Sequence, residues 1–194
     1  MAVKTFTTGE VLTAADTNTY LNNGGLVYVN TTTFSGVTTF NSAASTFTST
    51  YTNYRLIVTL SNSTASYDGL FLRMRTGTTT NANANYGWGG LLWGSNLAVA
   101  SNNTGAAAAT SFGLGTNGEI GYPTSMIIEV YKPQATDYTH YQVNVTRVGS
   151  GATVMIGYLY NGGMTVNTSY DAFTILTGGG QITGNVVTYG YRIG

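Results

Sequence analysis

Tyr54-Arg55-Leu56-Ile57-Val58-Thr59-Leu60 carries an apolar residue at every second position. Successive side chains of a β-strand point to opposite faces, so Tyr54, Leu56, Val58 and Leu60 commit one face to a core while Arg55, Ile57 and Thr59 face away. Leu70, Leu72 and Met74 alternate in the same way with Phe71, Arg73 and Arg75. A period of two in both stretches predicts strands with one buried face.

Outward from these two strands the pattern recurs at Leu26 to Val29, more weakly at Val37 to Phe40, and then at Met126 to Tyr131, Tyr138 to Val148, Thr153 to Tyr160, Ala172 to Thr177 and Val186 to Ile193. Gly, Asn, Asp or Pro separate the runs, which gives about nine strands. Pro123 and Pro133 fall just outside strand candidates, where a missing amide donor breaks no ladder. The expected fold is all-β, an antiparallel β-sandwich, jelly-roll-like, with a short N-terminal helix. Thr76 to Gly118 reads differently: Asn-Ala repeats, Gly87-Trp88-Gly89-Gly90-Leu91-Leu92-Trp93-Gly94 and four consecutive alanines predict one or two short strands, around Gly87 to Trp93, in long loops. A loop segment of that length is a candidate contact surface.

The N-terminal helix is expected from about Ala14 to Asn22, with Thr13 as N-cap, Asp16 placing negative charge beside the exposed amides, and Asn22-Asn23-Gly24-Gly25 as the stop. At about 1.5 Å per residue it is some 13 Å long, too short to be stable alone. The chain therefore divides into an N-terminal attachment segment, residues 1–25, and a β-sandwich domain, residues 26–194. Phe6, Val11, Leu12, Tyr20 and Leu21 are the candidate attachment side chains.

Composition limits the partners. Of 194 residues, 42% are hydrophobic, enough for one core, but only 7% are charged and the formal net charge is +0. Ordinary domains carry roughly 25% charged residues. The field that attracts nucleic acid is missing, so no nucleic-acid partner is expected. A Thr-, Asn-, Ser-, Gly- and Tyr-rich surface without long-range repulsion suits an assembly, and a homo-oligomer, a trimer in the first instance, is expected. With no cysteine, disulfides and thiolate chemistry are out. No apolar run approaches the ~20 residues that cross a bilayer, and the opening residues have no signal-peptide core, so the expectation is a soluble product made in a cytoplasm without membrane insertion.

The candidate chemistry is thin. Gly113-Leu114-Gly115-Thr116-Asn117-Gly118 has dinucleotide-fingerprint spacing, but that motif needs a helix after it, and none is expected. His140, the single histidine, reads as a surface or interface residue on an alternating strand. Asp68, Asp137 and Asp171 lie near turns, where Asp bonds its own backbone, and read as turn formers and not as a metal site. Phe71, Arg73 and Arg75 form an expected outward row, with Glu129 as the ready partner of one arginine. Tyr86, Trp88 and Trp93 are the leading ligand or interface candidates, since aromatic faces flanked by glycine stack on sugar rings and also fill subunit contacts. Asn-X-Ser/Thr triplets such as those at Asn62 and Asn144 follow from composition. No catalytic residue, cofactor or metal is expected.

Phe6-Thr7-Thr8-Gly9-Glu10-Val11-Leu12-Thr13-Ala14-Ala15-Asp16-Thr17-Asn18-Thr19-Tyr20-Leu21 resembles the opening of many small structural proteins of tailed bacteriophages, and the ending Tyr189-Gly190-Tyr191-Arg192-Ile193-Gly194 is similar to theirs. The resemblance implies a virion surface component, either a tail fibre or appendage or a head decoration (cement) protein, with other virion proteins as partners, and it brings no catalytic residues. The expected function is a non-enzymatic structural or attachment protein. A carbohydrate-binding module for host surface glycan, with Trp88 and Trp93 as platforms, is the alternative from another class.

Overall fold

The computed structural model describes residues 7–11, 13, 25–95, 97–102, 108–149, 151 and 153–191, without the side chains of residues 97–102. Among the described residues thirteen strands follow one another: β1 (Leu26–Val37), β2 (Thr39–Asn41), β3 (Asn53–Ser63), β4 (Gly69–Thr76), β5 (Thr79–Thr80), β6 (Tyr86–Gly94), β7 (Leu97–Asn102), β8 (Phe112–Thr116), β9 (Thr124–Tyr131), β10 (His140–Val148), β11 (Met155–Met164), β12 (Ala172–Thr177) and β13 (Ile182–Tyr191). All pairings are antiparallel. The first sheet has eight strands in the order β1-β13-β3-β9-β10-β11-β6-β7. The second runs β2-β12-β4, and β4 then pairs with β8 along Gly69 to Leu72 and with β5 at Arg75 and Thr76.

The pairs β1 with β13, β2 with β12, β3 with β9 and β4 with β8 describe one folded ribbon. Its early arm runs forward through β1, β2, β3 and β4 while its late arm returns through β8, β9, β12 and β13, and successive pairs alternate between the two sheets. The alternation in sequence supplies the packing. Tyr54, Leu56, Val58 and Leu60 of β3 and Met126, Ile128 and Val130 of β9 are buried against Leu70, Leu72 and Met74 of β4 and Phe173 and Ile175 of β12. Each fully buried aliphatic side chain contributes roughly 1.5–3 kcal/mol relative to exposure, so this shared interior makes the fold sandwich-like.

The two sheets differ in width. Beyond β9 the first sheet continues through β10, β11, β6 and β7, whereas the second ends at β8, which lies over β10, β11 and β6. An overhang of the wider sheet is therefore only partly roofed.

The Thr76 to Gly118 stretch is corrected in part: the strand expected around Gly87 to Trp93 is β6, which pairs with β11 without interruption from Tyr86↔Met164 to Gly94↔Ile156, but the expected long loops around it also hold β5, β7 and β8. The pairing requires glycine: the backbones of Gly90 and Gly162 sit so close to the neighbouring strand that an added Cβ would overlap it, so the residues that break the sequence pattern are those the pairing needs. The helix expected over Ala14 to Asn22 lies outside the described residues, as do Phe6, Leu12, Tyr20 and Leu21; Val11 is described and exposed.

Candidate functional site: an aromatic cleft under the overhang

A cleft of about 250 Å³ opens where the wider sheet runs out from under β8. Its floor is the inner face of β6 and β11, with Trp88, Leu92, Tyr158 and Tyr160; its other wall is β4 and β8, with Gly69, Leu70, Phe71, Gly113, Gly115 and Thr116. Trp88 and Tyr160 are in contact, their ring centroids 5.3 Å apart and tilted by 53°. Glycine makes room for these rings. A Cβ on Gly113 would lie 2.6 Å from Trp88 Cη2, and one on Gly115 3.0 Å from the Tyr158 ring. Gly115 also sits at φ +95, in the left-handed region that glycine occupies freely, where the β4–β8 register slips between Leu70 and Phe71.

The polar end of the cleft is built on Arg147. Its guanidinium is buried and donates to Tyr158 Oη from Nε at 3.2 Å and from Nη2 at 2.8 Å. It stands 4.9 Å from the Tyr67 ring centroid and 5.4 Å from that of Tyr158, a cation–π sandwich in place of a carboxylate. Tyr67 is held at φ +59, an uncommon conformation for a side chain of this size. Nη1 of Arg147 has no hydrogen-bond partner. Since both lone pairs of Tyr158 Oη receive N–H groups, its own proton goes to Thr116 Oγ1, 2.9 Å away. Thr116, which lines the cleft, is thereby left with a hydroxyl proton to donate. The site combines aromatic faces with one oriented O–H donor.

The expected site residues are dispersed. Phe71 and Trp88 share the cleft. Tyr86 is fully buried beside the core: its hydroxyl donates to the Asn81 carbonyl at 2.7 Å and accepts from Met74 N at 3.0 Å, and burial pushes its pKa up. Trp93 lies five positions after Trp88, on the opposite face of β6, 38% exposed and with its ring over Gly157. No common platform of Trp88 and Trp93 exists. The outward row of Phe71, Arg73 and Arg75 is likewise corrected. Arg75 is buried and donates from Nη1 to the Ser42 carbonyl at 2.8 Å, while Arg73 donates from Nε to the Thr110 carbonyl at 3.0 Å. Glu129 belongs to Arg55 on the adjacent strand β3, in the other sheet from Arg73 and Arg75 on β4, with Arg55 Nε 2.6 Å from Oε1; that carboxylate, more than burial opposes it, holds the Arg55 pKa above its usual value.

Arg147 was missed although the sequence contains its signal. Tyr141, Val143 and Val145 fill the inward positions of β10, and Arg147 continues that register. A charge in the inward series of a strand marks a side chain that must find a buried partner.

Five of the described carboxylates are occupied by the framework. Asp68 accepts from Gly179 N and Gly180 N, Asp171 from Gly77 N, and Glu119 from Gly151 N. Glu129 takes Arg55 and the Tyr191 hydroxyl, and exposed Asp137 takes Lys132 and Tyr138 N, which together hold its pKa down. Among the described residues no cluster of three metal-ligating side chains forms. Gly113 to Gly118 runs along β8 into a turn and opens no helix. His140 is exposed at the start of β10. No family model, curated protein or solved structure matches the chain.

Proposed function

We propose that this chain is a non-enzymatic structural protein of a tailed-bacteriophage particle, an oligomeric tail appendage whose domain faces outward and offers its cleft to host surface glycan. The observation that carries the non-enzymatic reading is the employment of Asp68, Glu119, Glu129, Asp137 and Asp171, each bonded to turn amides or to a neighbouring cation or hydroxyl. A carboxylate so engaged holds shape and is a poor proton carrier. The strand order supports a jelly roll, four ribbon pairs alternating between two sheets, an architecture common to virion and lectin domains. The N-terminal resemblance, Phe6 to Leu21, supports attachment to a particle through residues 1–25.

The cleft favours the sugar-binding part of this reading. Trp88 and Tyr160 supply faces for the C–H side of a pyranose ring, and Thr116 supplies a donor for a ring or hydroxyl oxygen. Near-zero net charge suits a neutral ligand. Gold-labelled antibody against the chain, imaged on purified virions, is expected to mark the tail; marking of the head moves the protein to capsid decoration, and no marking removes it from the particle. A glycan array probed with wild type and Trp88→Ala is expected to show binding to neutral oligosaccharides that the substitution abolishes. Equal binding by both chains would take the sugar away from this cleft.

A further inference from the structure

The outer face of the eight-stranded sheet does not look like a surface meant for water. Strand register places Val187, Ile57, Ile127, Asn144, Leu159 and Leu91 in one transverse row across β13, β3, β9, β10, β11 and β6. All but Asn144 are apolar, and Ile127 and Leu91 are 44% and 43% exposed. The exposed side of an antiparallel sheet is ordinarily polar. The rows on either side are more polar: Arg55, Glu129, Gln142 and Asn161 beside Tyr189 on one, and Asn185, Thr59, Ser125 and Thr146 on the other, which ends at Trp93. An apolar centre with a polar rim is the anatomy of a protein interface.

We infer that this face binds a second copy of the chain, face to face, about a two-fold axis that runs along β10 through Asn144. Charge argues for self and against an unlike partner. Arg55 and Glu129 are the charged side chains of the rows and neutralise each other, so two copies meet without repulsion and the face offers nothing to a charged protein. Size agrees as well. Six strands at ~4.8 Å spacing and ~30 Å length make a face of roughly 700 Å², near the ~800 Å² per partner of a standard stable interface.

Shape supplies the third argument. A groove of about 300 Å³ is lined by Ile57, Thr59, Ser125, Ile127, Asn144 and Thr146. On the other side of β10, at the same distance from it, Leu91 and Trp93 stand exposed. The two-fold axis exchanges these halves: Leu91 meets the partner's Ile57, and Trp93 meets Thr59, so the aromatic knob of each copy enters the groove of the other. Asn144 meets its own copy on the axis, where an amide both donates and accepts. The contact is isologous and pairs two copies, where composition alone led to the expectation of a trimer.

The inference deepens the oligomeric part of the proposed function, but it is tested on the purified chain, so its failure is separate from failure of the virion reading. Sedimentation equilibrium at micromolar concentration is expected to give two copies for wild type. Ile127→Asp and Trp93→Ala are each expected to weaken pairing roughly 30-fold or more, the loss typical of a central interface residue. Ile120→Asp, exposed elsewhere, is expected to leave it unchanged. Trp93 emission is expected to shift to the blue as concentration rises through the dissociation constant. Cooperative melting of each variant checks folding, and Asn144→Lys is the further variant if Ile127→Asp fails to fold. One copy or three for wild type overturns the inference, as does pairing that survives both Ile127→Asp and Trp93→Ala.

Discussion

The part of the wider sheet formed by β1, β13, β3 and β9 and the part formed by β10, β11 and β6 obey the same alternation, yet they use their inner faces differently. Under the second sheet, the inward residues Leu56, Val58, Ile128 and Val186 are aliphatic and closed to solvent. Under the overhang they become Tyr158, Tyr160, Trp88 and Leu92, interleaved with glycine and open to a cleft. Two facing sheets can bury branched aliphatic chains almost completely. A sheet edge roofed by a single strand needs rings that cover area with few rotors and retain a polar tip for water or ligand. The width of the roof, and not the strand pattern, separates core from site.

The sharpest way to break that comparison is the same truncation in both halves. Leu56→Ala, in the closed half, is expected to lose about 2–5 kcal/mol of unfolding free energy through lost burial and a sealed cavity. Leu92→Ala, on the cleft, is expected to lose about 1 kcal/mol, because solvent already reaches the site and no sealed void forms. Urea unfolding measures both, and equal losses would show that the overhang is as well roofed as the core.

A smaller effect sharpens the cleft side. Gly113→Ala places a methyl group 2.6 Å from Trp88 Cη2 and must displace the ring. It is expected to lose about 1–3 kcal/mol by overpacking and to change Trp88 emission. An unchanged spectrum with unchanged stability would mean that the ring is not held where the glycine permits it.

The smallest effect belongs to the outer surface of the closed half, at high pH. Burial, then its hydrogen bond to Glu129, pushes the Tyr191 hydroxyl up to about 12. The same group titrates near 10 in an unfolded chain. The folded state therefore holds this proton more tightly: its contribution to stability is complete below about pH 10 and is lost as pH rises toward about 12. Tyr191→Phe is expected to flatten the decline in melting temperature over that window, and an identical slope would place the alkaline loss in other tyrosines.

Much of the closed half was legible. Alternation at Tyr54 to Leu60 and Met126 to Tyr131, and at Leu70 to Met74 in the sheet above them, named the strands and their buried faces, because a period of two survives wherever side chains are large. The overhang was harder to read. Its strands around Gly87 to Trp93, Tyr138 to Val148 and Thr153 to Tyr160 were expected, but Gly87, Gly89, Gly90 and Gly94 carry no side-chain pattern that marks a buried face, and Trp88 and Trp93, close in sequence, fall on opposite faces of β6. The cleft needed more still: Phe71 and Trp88 lie on strands of different sheets, and nothing local to either announces the other.

The sequence by itself determined the all-β class and the buried face of the patterned strands, because these depend on neighbours a few residues away; Asp68 and Asp171, read as local turn formers, instead hold the distant amides of Gly179, Gly180 and Gly77. Only the tertiary structure decided that Glu129 serves Arg55, that Arg147 is sandwiched between Tyr67 and Tyr158, and that one sheet outruns the other. Those outcomes depend on which distant strands become neighbours and how far each sheet extends, and such long-range pairing is set by the packing of the whole ribbon, for which no single segment carries the code.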